Sequence, residues 1–156
     1  MKNRFGTLCM AVPALCIALA GCGGGASSDL ASFHAPSGWR AVNVFGMSMF
    51  IAPDSKSGNG QVLMLMRLPH GSNDFSTATG RYQHAKIEAR KTITICGNQP
   101  AQYVELTGDQ AGKHDQVQMV TTKYGDTAYM AMYARGAGEP VNSDAAAAIK
   151  ALCLKK

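Results

Sequence analysis

The fold of this chain is decided by residues 92–106, whose sequence is TITICGNQPAQYVEL. Residues 92–96 alternate Thr and Ile before a Cys, and residues 101–106 contain Tyr, Val and Leu, which are all side chains that strands favour. The segment Gly97–Pro100 between them contains the Gly, Asn and Pro that favour turns. Residues 92–106 therefore predict a hairpin of two antiparallel strands.

The same pattern continues toward the carboxyl terminus. A second turn is predicted at Gly108–Gly112, and it is followed by an alternating strand over residues 116–124. Gly125-Asp126 is a typical tight hairpin turn, so residues 127–134 are expected to return beside that strand. Together these segments predict an antiparallel meander.

Two further strands are predicted before the hairpin. In residues 45–51 every odd position is apolar, which is typical of a half-buried strand. Residues 62–66 are apolar at every position, as expected for a strand that is covered on both faces. This second strand predicts that the protein has at least three layers at that point.

Helices are predicted at two places. Asn73 or Asp74 is placed to cap a short helix within the irregular stretch of residues 70–89. Asn142 or Ser143 is placed to cap a terminal helix. The residues expected to share its packing face are Ala145, Ala148, Ile149, Leu152 and Cys153. The predicted fold class is therefore α+β, with a twisted antiparallel sheet and a C-terminal helix packed on it.

The amino terminus carries a secretion signal. A basic start and an apolar run over residues 8–20 lead to Leu19-Ala20-Gly21-Cys22. These four residues resemble the lipobox of bacterial lipoproteins. The resemblance implies cleavage before Cys22 and acylation of Cys22, for example by palmitate, and two or more acyl chains anchor a protein stably. The apolar run contains Pro13 and is shorter than the roughly 20 residues that a membrane span requires.

The chain is expected to have three parts. Residues 1–21 are the signal peptide, residues 22–37 are the lipidated cysteine with a flexible tether rich in Gly and Ser, and residues 38–156 form a single domain. Removing 21 of the 156 residues leaves 135, enough for one core. The formal charge falls from +5 to +3, because Lys2 and Arg4 leave with the signal. This small excess, without a basic run, does not favour a nucleic acid partner.

The cysteines predict one disulfide. Cys9 and Cys16 lie in the signal, and Cys22 takes the lipid. Cys96 and Cys153 remain, an even pair in a compartment that permits disulfides. A bridge between them would place the terminal helix against the sheet. The alternative is two buried thiols that do not meet.

Methionines are the candidate metal ligands. They occur as three pairs at spacing i, i+2, which puts both members of a pair on one face of a strand. The pairs are Met47 with Met49, Met64 with Met66, and Met130 with Met132. Thioethers select Cu(I), so neighbouring pairs would make a soft metal site. The alternative is that these methionines fill irregular gaps in the core.

Other catalytic and cofactor patterns are not found in the sequence. The four histidines lack the i, i+3 or i, i+4 spacing of a helical metal site. The sequence contains no Gly-x-Ser-x-Gly elbow and no phosphate-binding glycine loop. No cofactor and no catalytic residue are therefore expected, and an enzymatic function is not favoured.

The part of the chain after the tether resembles the PsbP-like (Mog/PsbP) superfamily and the DcrB-type envelope lipoproteins. The resemblance rests on the entry Gly38-Trp39, the strand end at Phe50–Pro53, the hairpin Ile95–Ala101 and a terminal helix that ends in Leu152-Cys153. It implies an α/β/α sandwich used for binding or assembly, with no shared catalytic centre and no functional residues to transfer.

The expected function is that of a membrane-anchored envelope lipoprotein with a non-enzymatic binding or accessory domain. Its expected partners are the membrane, through Cys22, and an envelope protein or small ligand. Gly23 after the cysteine favours the outer membrane, facing the periplasm, if the source is Gram-negative. Two alternatives are a Cu(I)-handling lipoprotein that uses the methionine pairs and a small hydrolase whose site is assembled from distant residues.

Overall fold

The computed structural model of the protein describes residues 25–27, 31–44, 47–53, 60–68 and 75–154. Within these residues there are ten strands and two helical segments, and most of the described residues lie in strands. In chain order the elements are β1 (Gly25–Ser27), β2 (Ala31–His34), β3 (Arg40–Val44), β4 (Met47–Ile51), β5 (Val62–Arg67), α1 (Ser76–Thr79), β6 (Gln83–Ile95), β7 (Gln99–Gln110), β8 (Lys113–Tyr124), β9 (Thr127–Gly136), α2 (Ser143–Lys150) and β10 (Cys153–Leu154).

Seven strands form one antiparallel sheet in the order β3-β4-β5-β9-β8-β7-β6. Strands β6 to β9 form the meander that the sequence predicts, and the first turn lies between Ile95 and Gln99. Gly97 has a φ of 84°, a left-handed conformation that glycine adopts without steric cost. A second, small sheet has the order β1-β2-β10.

Strand β6 is much longer than the sequence predicts. It begins at Gln83, whereas the sequence predicts a strand only from residue 92 and leaves residues 70–89 irregular. β6 is an edge strand, and nearly all of its side chains are exposed on both faces. In its first half Ala85, Ile87 and Ala89 do alternate with polar residues, but Ala, Lys, Glu and Arg favour helices, which weakens this sequence signal for a strand.

The predicted α+β class, with its α/β/α sandwich, is wrong. The protein is mostly sheet, and α2 is the only helix of eight residues in the described part of the chain. α1 is a single turn, and the capping residues predicted for it, Asn73 and Asp74, lie outside the described residues. One face of the large sheet is therefore covered by α2, while no comparable helix of the described residues covers the other face.

Helix α2 is fixed to the sheet at its amino end. Asn142 Oδ1 accepts a hydrogen bond from the Ala145 N–H at 3.0 Å and so caps the helix. The Asn142 N–H donates to the Tyr133 hydroxyl at 3.0 Å, and this hydroxyl donates to Gln61 Oε1 at 2.7 Å. Ala145 and Ile149 are buried in the core of this face. The helix is thus held by both packing and hydrogen bonds.

A disulfide joins Cys96 to Cys153, with 4.9 Å between their Cα atoms. Cys96 lies in the turn after β6, at the edge of the large sheet. The sequence predicts Cys153 on the packing face of the helix, and this is wrong. α2 ends at Lys150, and Cys153 begins β10. The bridge therefore connects the two sheets to each other.

Part of the stretch predicted to be a flexible tether is structured. Residues 25–27 and 31–34 form β1 and β2, and Phe33 is only 1% exposed. The Phe33 ring lies edge-on to Phe50, with 5.8 Å between the ring centroids. The core therefore begins before residue 38. Cys22 and the signal segment lie outside the described residues, and none of the helices described is long and apolar enough to cross a membrane.

The disulfide is expected to stabilise the domain substantially. Its cysteines are 57 residues apart, and closing a loop of that length stabilises the folded state by about 4 kcal/mol in the loop-entropy description. The variant Cys96→Ser/Cys153→Ser should therefore unfold at a clearly lower urea concentration than the oxidised protein. Wild-type protein in reductant is the control and should match the variant. Equal midpoints for oxidised protein and variant would contradict the expectation.

Candidate functional site: a methionine-floored groove

All seven methionines that follow Cys22 belong to one face of the large sheet, which we call the methionine face. The cross-strand register aligns them in rows, because Met64 pairs with both Met49 and Met132. Met132 also pairs with Met119, so this row crosses β4, β5, β9 and β8. A neighbouring row contains the other three, namely Met47, Met66 and Met130.

The methionine face contains a groove with two arms. The narrow arm has a volume of about 280 Å³, and the apolar side chains that line it include Met47, Met64, Met66, Met130, Met132, Leu68, Ala78 and Tyr82. The wide arm has a volume of about 710 Å³ and includes Met49. The two arms share Met64, Met132, Tyr82 and Gln110. Five of the six predicted methionine ligands thus meet in the narrow arm, and the sixth lies in the wide arm.

The methionines form the floor of the groove and are not packed around the tryptophan. Trp39 belongs to the cluster on the opposite face, with Phe50 and α2. Met130 is 3% exposed, whereas Met47 and Met64 are half-buried and accessible from the groove. Only some of these methionine side chains therefore fill the core.

The segment around α1 forms one wall of the groove. Phe75, Ala78 and Tyr82 are buried in the cluster of the methionine face. Tyr82 lies directly over Gly108 of β7, where an added Cβ would be 2.8 Å from the Tyr82 Cβ. Gly108 therefore allows the wall to approach the sheet closely.

Tyr82 is a neutral side chain between the two arms. Burial, with a smaller contribution from Asp115, raises its pKa to about 12, and Arg81 opposes this rise. At physiological pH the phenol is protonated, so it offers an apolar ring and a hydroxyl hydrogen bond to a bound molecule. It is not a general base.

The polar residues that line the narrow arm are Arg67, Arg81 and Gln110, and no carboxylate is among its lining residues. Arg67 and Arg81 are exposed. Arg67 Nη2 donates a hydrogen bond to Thr127 Oγ1 at 3.3 Å. Because side chains alternate along β5, the Arg67 side chain lies on the opposite face from Met66, with Thr127 and Tyr129. The narrow arm is thus apolar on its floor, and Arg81 is the cationic side chain among its described lining residues.

Charges of both signs line the wide arm, where Lys113 and Arg135 lie with Asp115 and Glu139. Burial raises the pKa of Asp115, and the neighbouring Glu139 adds to the rise while Lys113 opposes it. Glu139 Oε2 is buried and has no hydrogen-bond partner among the described residues. The wide arm is therefore polar without an excess of positive charge.

Two histidines that no sequence pattern associates meet at the edge of the wide arm. His84 Nδ1 lies 2.9 Å from Asp109 Oδ2, and His114 Nδ1 lies 2.6 Å from Asp109 Oδ1. These hydrogen bonds lower the pKa of the Asp109 carboxyl, and the bond with His114 contributes more than the bond with His84. The described residues contain no group of three or more His, Cys, Asp or Glu able to hold a metal ion. This cluster joins β6, β7 and β8 by hydrogen bonds. Sequence spacing could not reveal it, since His84 is 25 residues from Asp109.

The groove has no serine, threonine or cysteine among its lining residues in the described part of the chain. His114 and the carboxylates of the wide arm therefore have no such nucleophile beside them. The hydrolase alternative receives no support from this groove.

Gly108 is expected to control the wall of the groove. Gly108→Ala should lower the free energy of unfolding by about 1–3 kcal/mol, because the new methyl group overpacks the contact with Tyr82. Urea unfolding measures the loss. Gly136→Ala is a matched control, since its Cβ would meet Glu139 only at an ordinary 3.6 Å. Equal stability of the two variants would show that Tyr82 does not pack on Gly108.

Comparison with known protein families and with curated protein sequences finds no match to this chain. Solved structures with a similar fold are found. LpqN from Mycobacterium tuberculosis, described as involved in cell envelope biogenesis, is 13% identical, with a TM-score of 0.58 over 81% of this chain and 83% of LpqN. A protein from Bacteroides thetaiotaomicron is 15% identical, with a TM-score of 0.53 over 81% of this chain. The match spans only 45% of the Bacteroides protein. At these identities the likeness concerns the fold.

Proposed function

We propose that this chain is a cell-envelope lipoprotein, anchored through acyl chains on Cys22, whose methionine-floored groove binds a partly apolar small molecule. The lipobox-like sequence at residues 19–22 supports the anchor. The fold shared with LpqN, a protein described as involved in cell envelope biogenesis, supports an accessory role in the envelope. For a Gram-negative source, Gly23 supports placement in the outer membrane.

The observation that carries the binding function is the methionine lining of the narrow arm. Methionine is unbranched and polarizable, so it adapts to flexible apolar ligands better than branched side chains do. Five methionines around one cavity therefore form a surface suited to binding. A cavity that is mostly apolar and has a few polar groups is the usual form of a ligand site.

The anchor is tested by changing Cys22. Wild-type protein expressed with a clickable palmitate analogue should be labelled and recovered with membranes. Cys22→Ser should lose the label and leave the membrane fraction. Cys9→Ser changes a cysteine of the predicted signal and is the control, which should remain labelled. Labelling of Cys22→Ser would disprove the anchor site.

The groove is tested with the neutral apolar dye N-phenyl-1-naphthylamine, whose fluorescence rises in apolar sites. Gln110 lines both arms and is exposed, so Gln110→Trp should obstruct the groove and reduce dye binding about tenfold, the effect of losing about 1.4 kcal/mol. Thr94→Trp, on exposed β6 outside the groove, is the control. If both variants bind the dye equally well, the dye does not bind in the groove.

Cu(I) handling is a second candidate function, favoured by the five thioethers around the narrow arm. Competition with a Cu(I) chelator measures Cu(I) binding and distinguishes this function from apolar binding. Met64→Leu/Met66→Leu should abolish Cu(I) binding while Met119→Leu, in the same row but fully buried, should not. Arg81 beside the arm disfavours a cation, so apolar binding is the first proposal.

A further inference from the structure

We infer that Met47, Met49 and Met64 form a modification site, at which a peroxide oxidises the thioethers to sulfoxides and the groove loses affinity for apolar molecules. The effect on binding rests on the proposed function. The selective oxidation itself depends only on how the methionines are arranged.

Exposure divides the seven methionines of the methionine face into two groups. Three are half-buried and line the groove, namely Met47, Met49 and Met64. The other four are at most 8% exposed, and they are Met66, Met119, Met130 and Met132. An oxidant must reach the sulfur atom, so the rate of oxidation follows exposure. The three half-buried methionines are therefore the ones that react.

These three methionines are neighbours on two adjacent strands. Met47 and Met49 are two residues apart on β4 and so share one face, and Met49 is paired directly with Met64 of β5. Met47 lines the narrow arm, Met49 lines the wide arm and Met64 lines both. The oxidisable sulfur atoms thus form one continuous part of the groove floor.

No thiol among the described residues competes for the oxidant. Cys96 and Cys153 are the cysteines of this part of the chain, and they are already joined in the disulfide. A peroxide that enters the groove therefore reacts with a methionine.

The reaction consumes one hydrogen peroxide for each methionine. The sulfur lone pair attacks one peroxide oxygen, so an S–O bond forms while the O–O bond breaks. The proton of the transferred oxygen passes to the departing hydroxide, which leaves as water. Sulfur loses two electrons and the peroxide gains them, so no other reactant is required.

Oxidation changes the groove floor without removing the core beneath it. A sulfoxide places a polar oxygen where the thioether was apolar. An apolar ligand would have to displace water from this oxygen and offer it no hydrogen bond, so binding weakens. The four buried methionines stay packed with Val104, Leu106 and Val117, so the domain remains folded.

The selectivity is tested with hydrogen peroxide on the unacylated full-length chain, Cys22→Ser, after Cys9 and Cys16 have been blocked with N-ethylmaleimide. Peptide mapping by mass spectrometry measures the oxidation rate of each methionine. The three half-buried methionines should react about tenfold faster than the four buried ones. In the urea-unfolded chain, which is the control, all seven should react at similar rates. Equal rates in the folded chain would overturn the modification site.

The effect on the groove is measured with N-phenyl-1-naphthylamine, and each protein is compared with itself before and after peroxide. Oxidation should weaken dye binding by the Cys22→Ser chain about tenfold. In the same background Met47→Leu/Met49→Leu/Met64→Leu should show no such loss, whatever its starting affinity, because leucine forms no sulfoxide. Met119→Leu is the control on the same face, and it should lose binding as its parent does because Met119 is fully buried.

The outcomes separate this inference from the proposed function. If the chain binds the dye equally well after its three half-buried methionines are oxidised, or if both variants lose binding equally, the effect of oxidation on the groove is overturned while the apolar groove stands. If the untreated chain does not bind the dye, the proposed function fails and the binding effect fails with it. The peptide map then still decides whether the three methionines are a modification site.

Discussion

The structure depends on the cross-strand register that runs through β4, β5, β9 and β8. Side chains alternate between the two faces of a strand, so a slip of one residue between β5 and β9 would move Met64 and Met66 to the opposite face. Leu63 and Leu65 hold the register, because both are buried against Trp39 and α2. The aliphatic core on one face thus determines the positions of the methionines on the other.

The two faces of the sheet are covered unequally, and the groove results from this difference. α2 fills one face with Ala145, Ala148 and Ile149. On the methionine face the described cover is the single turn α1 and its neighbours Phe75 and Tyr82. The expectation of a sandwich failed on the face where the groove lies.

The sequence predicts those parts of the structure that have local signals. Turn residues at 97–100 and 125–126 define the hairpins, and the cap and alanines define α2. The first half of β6 has a weak local signal, because its alternating Ala85, Ile87 and Ala89 stand among residue types that favour helices. The methionine spacing predicts pairs on strands, but only the strand order places the pairs side by side. Likewise, the wall from Tyr82 depends on Gly108, a contact between residues 26 positions apart that no local pattern encodes.

The long edge strand β6 has a consequence for crowding. No strand of the described residues pairs with its outer backbone edge, and such an edge is able to pair with a second copy of the same strand, which is how sheet proteins aggregate. Lys86 is paired with Glu88, but Arg90 and Lys91 are exposed along the strand, and like charges repel when two such edges approach. Under the proposed anchoring through Cys22, copies would be confined to a membrane surface, where neighbouring molecules collide often. Cationic residues on β6 would then keep adjacent molecules separate while leaving each groove accessible.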